Sequence, residues 1–369
     1  MHRAHFIAAL FTLPGLALTA SPTTPPTPGT LEVVAELPIN PGNLAVTGDG
    51  RVFATVHQFR RGPAQLIEIT GRSDYRPWPN ASWNGAFGSG PNVLNSVLGI
   101  SIDRKGRLWV LDNGRGETDL RPKLLAFALT DGELAFRYDF PRNTGPTGSF
   151  LNDLAVDDRR GFVYIADVGG LHPPALVVVD VDRKASRRFT ASPALAAEDL
   201  DLIVEGRVVE VADQEGKARP ARIAVNPITL SADGETLYFG AMNGETWYAL
   251  PARLLREGAP DAEIAAAIGP AGKKPVSDGA STDRQGNHYF TNLGANAIDV
   301  LRPDGTLRHL VQDERLLWPD ALSFGAESWL YIAVNQLHRS PPLNRGIEEG
   351  EPPYRIMRVW TGTKGISGR

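Results

Sequence analysis

Asn152 (in LNDL), Asp278 (in SDGA) and Asp320 (in PDAL) stand at the same place in separate copies of one recurring pattern. Asn and Asp oxygens are hard ligands suited to Ca2+ or Mg2+ and sometimes Zn2+, with Ca2+ the first choice. Carboxylates that converge without a cation repel each other, and one of them then keeps its proton. A divalent cation relieves that repulsion and can polarise an ester carbonyl or activate water. On this reading Asn152 and Asp278 hold the metal, and Asp320 is a further ligand or the general base. Asn43 lies one step from Gly42, the aligned position of the first copy, and reaches the same place. A second set, Asp112, Asp167, Asn292 and Asn335, with Asn243 nearby, ends the following strand and forms a polar ligand rim. The plainer alternative for this second set is that Asp and Asn cap strand ends and satisfy turn backbone groups.

The elements that must bring these residues together are short strands. The pattern is an alternating apolar strand, an Asp/Gly turn, and a second strand carrying an aromatic residue. It occurs as LAVTGDGRVFATV (44–56), LGISIDRKGRLWVLD (98–112) and NDLAVDDRRGFVYIAD (152–167). It returns as ITLSADGETLYFGA (228–241), DGASTDRQGNHYFTN (278–292) and DALSFGAESWLYIAVN (320–335). Period-2 alternation marks half-buried strands, and a repeat of several tens of residues marks propeller blades. The fold class is therefore all-β, a six-bladed β-propeller. The inner strands would begin at Gly42, Leu98, Asn152, Pro227, Asp278 and Asp320, which places those residues in a ring at one mouth of the channel. Trp109, Tyr164, Tyr238, Tyr289 and Tyr331 share one repeat position and read as blade packing. Leu31–Leu37 precedes the first copy and is expected to pair with the last blade, closing the ring.

Residues 1–20 read as a signal peptide, with an apolar run from Phe6 to Leu18 that is too short to span a bilayer. Residues 21–29 form a Pro/Thr-rich spacer, and 30–369 the single propeller domain. The expected location is secreted or periplasmic, with no membrane span after cleavage. A net charge of -4 and the lack of a basic stripe argue against a nucleic-acid partner. With no cysteine, thiolate catalysis, disulfides and cysteine-held zinc are excluded. No G-x-S-x-G, H-E-x-x-H or P-loop motif is present. Two insertions break the rhythm: 185–222, with an extra hairpin expected over Glu205–Ala212, and a helical stretch over 251–268.

GRLWVLDNG (106–114), NDLAVD with VYIADVGG (163–170), and WPDALSF with WLYIAVNQL (329–337) resemble the Yellow/major royal jelly protein family, in that family's order. GRVFATV (50–56) and Trp247–Arg256 fit it as well. The resemblance runs from about residue 30 to about 360 and implies a six-bladed propeller of the dopachrome-conversion-related bacterial type. A more distant resemblance, to gluconolactonase/senescence-marker propellers, implies a cation held by a Glu, an Asn and an Asp at inner-strand starts. Asn152 and Asp278 match the Asn and Asp, whereas Gly42-Asn43 stands where the Glu would be.

Three classes of function remain open. One is a small-molecule binder at the channel mouth, with or without a divalent cation. The second is a metal-dependent hydrolase or isomerase, lactonase-like or dopachrome-converting. The third is an extracellular interaction scaffold.

Overall fold

The computed structural model describes residues 24–114, 120–212 and 216–369. The expected signal peptide, 1–20, and the first three residues of the expected spacer lie outside them. Six four-stranded antiparallel sheets form the blades. Their inner strands are Pro41–Val46, Val97–Ile102, Leu151–Asp157, Val225–Leu230, Ala280–Thr282 and Pro319–Phe324. Each inner strand packs on the next, and the last packs on the first, so the ring is closed. Leu31–Leu37 supplies the outermost strand of the sixth blade. It pairs antiparallel with Tyr354–Trp360, Leu31 opposite Val359 and Leu37 opposite Tyr354, as the sequence led us to expect.

One turn device recurs at the lower end of the blades. Asp103 Oδ1 accepts the Lys105 and Arg107 amides at 2.9 and 3.0 Å, and Asp283 Oδ1 accepts the Gln285 and Asn287 amides at 2.8 and 2.9 Å. The turns need a left-handed residue, supplied by Gly106 (φ 71°) and Gly286 (φ 80°). The other oxygen of each Asp reaches the aromatic of the second strand: Trp109 Nε1 at 2.8 Å and Tyr289 OH at 3.1 Å. Hairpin and aromatic are thus fixed together in the second and fifth blades, whereas Tyr164 and Tyr331 take bonds from Arg256 and Arg358. Between blades the core is apolar and aromatic. Phe53, Trp78 and Phe127, for example, meet edge to face at 4.9 and 5.7 Å. Burying each such side chain is worth about 2–3 kcal/mol.

At the upper end the inner strands are irregular. Five of them carry a register shift, between Pro41/Leu44, Val97/Ile100, Leu151/Asp153, Val225/Ile228 and Pro319/Leu322. Such bulges bend a strand and re-aim its side chains. In the fifth blade the strand begins only at Ala280, so Asp278 and Gly279 lie just ahead of it. Threonines of the second strands take up amides this irregularity frees. Thr55 Oγ1 accepts Asn43 N at 2.8 Å, and Thr291 Oγ1 accepts Asp278 N and Gly279 N, both at 3.0 Å.

The insertion before the fourth blade forms two small hairpins, Ile203–Val204 with Arg207–Val208 and Glu210–Ala212 with Ala218–Pro220. The expected single hairpin over Glu205–Ala212 straddles them. The 251–268 stretch holds helices Ala252–Arg256 and Asp261–Ala267, broken at Gly258-Ala259-Pro260, and they pack on the outside of the fourth blade.

Candidate functional site

The bulged inner-strand ends floor a chamber of about 280 Å3 at the upper mouth. Asn152, Asn226, Asp278 and Asp320 line it together with His57 and an apolar set that includes Leu98, Phe150, Met242 and Leu343. The insertion contributes Val211 and Ile223 to the same lining. Leu202, Val204 and Val209 pack with Leu337, Leu343 and Trp318 into one cluster, so the insertion is the roof of the chamber.

The floor is a hydrogen-bonded line across consecutive blades. Asn152 Nδ2 donates to Asn226 Oδ1, and Asn226 Nδ2 donates to Asp278 Oδ1 at 2.6 Å. Trp318 Nε1 donates to Asp278 Oδ2 at 2.8 Å. Asn335 Nδ2 donates to Asp320 Oδ2, and the Asn335 backbone carbonyl accepts Asn40 Nδ2 at 2.6 Å. Asn43 Nδ2 donates to Asp153 Oδ1 at 3.2 Å. Among the described residues, none of Asp153, Asp278 and Asp320 has a Lys or Arg partner; Asp278 and Asp320 are buried, and Asp153 is half-buried.

That environment raises their proton affinity. Burial pushes Asp278 up to about 7, against the stabilising Trp318 and Asn226 donors. Burial also takes Asp153 to about 7, opposed by the Leu154 amide, with the Asp278 charge adding to the rise. Asp320 is raised well above the carboxylate range, by burial first and then by the charge of Asp278. His57 is driven the other way, down to about 3, by burial and then by Arg60. It accepts the Phe59 amide at Nδ1 (3.2 Å), which leaves its proton on Nε2.

The structure brings together Asn43, Asn152, Asp278, Asp320 and Asn335 of the residues singled out from sequence. The other rim residues work elsewhere. Asp112 accepts the Asn95, Ser96 and Gly114 amides and pairs with buried Lys123 at 2.7 Å. Asp167 accepts the Phe150 and Gly169 amides and pairs with Arg188. Asn292 accepts Ala295 N and donates to Asp299. These three pin loops. Asn226, which lines the chamber, and Asp153, which bonds Asn43 and whose charge acts on Asp320, were not among those singled out, although each adjoins one of the inner-strand starts read from the repeat, Pro227 and Asn152.

For a divalent cation the floor offers Asp278 and the amides of Asn152 and Asn226. As they stand, these groups bond to one another, and a cation would need the amides turned to present oxygens. Gly42, where a further carboxylate would be expected, is crowded: a Cβ there would lie 2.7 Å from Leu98 Cδ1 and 2.9 Å from Thr55 Oγ1. Among the described residues no group of three or more His, Asp or Glu side chains is arranged to hold a metal ion.

Comparison with known proteins agrees with this architecture. The Protein yellow sequences of Drosophila madeirensis and Drosophila melanogaster are each 30% identical to the chain over 227 residues, 56% of its length. The match spans only 38% and 40% of those relatives. Among solved structures, a luciferin-regenerating enzyme aligns over 92% of this chain and 98% of its own, with TM-score 0.57 at 13% identity. A gluconolactonase from Xanthomonas campestris aligns over 89% of each chain, with TM-score 0.54 at 15% identity. At such identities these two likenesses concern the fold alone. The family model described as "Major royal jelly protein" matches residues 95–356, and the chain belongs to that family.

Proposed function

We propose that this protein binds a small molecule with an apolar body and a positively charged group, an amine, in the upper chamber. The observation that carries the reading is a trio of carboxyl groups, the buried Asp278 and Asp320 and the half-buried Asp153, without a cationic partner among the described residues and beside an apolar lining. A buried carboxylate is costly unless paired, so these groups hold protons when the chamber is empty and give them up to a cation. The chamber is near the lower end of the usual range for small-molecule sites. Asp320 acts here as a charge partner, with Asn335 fixing its orientation. The chain is read as exported on the strength of its apolar N-terminal run.

The test is thermal unfolding with tyramine and its uncharged counterpart 4-ethylphenol, at pH 6 and pH 8. Tyramine at about a hundred times its Kd should add roughly 2.7 kcal/mol. Its affinity should rise from pH 6 to pH 8, as groups titrating near 7 ionise, and fall in Asp278→Asn. Equal binding of 4-ethylphenol would overturn the amine reading. A second reading, a divalent cation, is favoured by the line Asn152, Asn226, Asp278 on three successive blades. It would be supported by a shift with Ca2+ alone that Asn226→Ala abolishes. Under that reading the chamber could also serve hydrolysis, and lactone turnover would be the next assay.

A further inference from the structure

We propose that Trp318 is a positioning residue that holds the Asp278 carboxylate, and that the roof hairpin, latched through Glu205, keeps Trp318 in place. The inference rests on the chamber being the binding site and adds how its acid is controlled. Trp318 is fully buried, yet its backbone sits in the left-handed region, at φ 56°. A bulky residue there costs energy and persists only when its surroundings hold it. Its carbonyl accepts Asn335 N at 3.2 Å. Its indole N–H is spent on Asp278, and the indole stacks on the His338 imidazole, with centroids 5.7 Å apart and planes 8° from parallel. His338 Nε2 bonds Glu205 Oε2 at 2.8 Å. Arg339 grips both oxygens of the same Glu205, at 2.8 and 2.9 Å.

Glu205 is the turn residue of the hairpin Ile203–Val208, in the left-handed region with Gly206. A continuous contact path thus runs from the roof, through His338 and Trp318, to the carboxyl on the floor. Releasing the latch frees His338, loosens the indole and weakens the N–H bond that favours the Asp278 carboxylate. The charged groups along the path are Asp153 and Asp320 beside Asp278, Glu205, Arg339 and Arg207 around His338, and His338 and Arg339 around Glu205.

The experiment follows the Asp278 carboxyl carbon by NMR in ligand-free protein labelled with 13C-aspartate, the signal being assigned by its loss in Asp278→Asn. Trp318→Phe keeps the ring and removes the donor. Its Asp278 midpoint should rise by about one pH unit, the size expected for one lost bond to a carboxylate. Glu205→Ala alters only the roof and should raise the same midpoint by about half a unit, while the Asp112 and Asp167 signals stay where they are. An unchanged midpoint in folded Trp318→Phe overturns the positioning role, and an unchanged midpoint in Glu205→Ala overturns the latch. Should Trp318→Phe not fold, Glu205→Ala decides, since it alters only the partly exposed tip of the hairpin. No ligand enters the measurement, so a failure of tyramine binding and a failure of this coupling are separate results.

Discussion

Asp112 and Asp278 are both buried aspartates at the upper ends of blades, and they have opposite surroundings. Asp112 receives three backbone amides and the Lys123 ammonium. Asp167, one blade on, repeats the arrangement with two amides, the Ser149 hydroxyl and Arg188. Asp278 receives two neutral N–H donors and faces two further carboxyl groups. Burial is common to all of them, so burial does not mark the site. The presence or absence of a cation does. A saturated carboxylate ties a loop to its blade, whereas an unsaturated one leaves charge for something outside the chain to neutralise.

The sharpest way to break this distinction is to make the first kind resemble the second. Lys123→Ala removes the cation from Asp112 and leaves a buried charge. Breaking such a pair typically costs 3–5 kcal/mol, and a loss of about that size is expected in denaturant unfolding. A loss under about 1 kcal/mol would mean that the backbone amides alone satisfy Asp112. The comparison with Asp278 would then lose its basis.

The converse change should be no larger and should depend on pH. The folded-state value of Asp278, about 7, lies above the ordinary carboxylate value of 3.8, so between those limits the folded chain holds the extra proton. Its contribution is fully present below about pH 4 and is lost as pH rises through 7. His57, lowered to about 3, contributes the opposite slope between pH 3 and 6.5, so wild type alone gives a mixed profile. The difference between Asp278→Asn and wild type removes the His57 slope and leaves that of the aspartate together with its coupling to Asp153 and Asp320. At about 1.4 kcal/mol per pH unit, the stability of the variant relative to wild type should climb by up to about 4 kcal/mol from pH 4 to pH 8. A flat difference would show that Asp278 is ionised and satisfied throughout.

The fold was legible because each copy carries its own turn and alternation. Asp103 and Asp283 bond their own turn amides and their own second-strand aromatic, so local sequence spells out local structure. The closing strand could be read because Leu31–Leu37 has strand character and no partner nearby in sequence. The site was only half legible. Counting back from the turns assumes turns of one length, and the fourth-blade turn is one residue longer: Ser231 N bonds Thr236 O where Asp103 N bonds Arg107 O, so the count reached Pro227 when the chamber residue is Asn226. The shift between Leu151 and Asp153 lets two adjacent residues, Asn152 and Asp153, both turn toward the site. Strand-end Asp and Asn residues looked alike in sequence, because what separates Asp112 from Asp278 is the partner that folding supplies: Lys123 comes opposite Asp112 on the neighbouring strand, and Trp318 reaches Asp278 from the next blade. The roof was hidden for a similar reason. Its packing onto Leu337 and Leu343 joins segments more than a hundred residues apart.

The smallest expected effect concerns the position where a third metal-holding side chain would be looked for. At Gly42 the obstacle is contact. A new Cβ meets Leu98 Cδ1, which can swing away, and Thr55 Oγ1, which is held by Asn43 N and Leu98 O. Gly42→Ala should therefore cost only about 1 kcal/mol, from overpacking beside a hydroxyl that cannot retreat. Gly42→Glu must in addition bury a fourth carboxyl beside Asp153, Asp278 and Asp320, and should lose more at pH 8 than at pH 5. If Gly42→Glu is instead stable at pH 8 and acquires a Ca2+-dependent rise in Tm, the floor amides can turn toward a cation. The unsatisfied carboxyls would then be the remnant of a metal centre, and the contrast with Asp112 would reflect a missing ion instead of a missing amine.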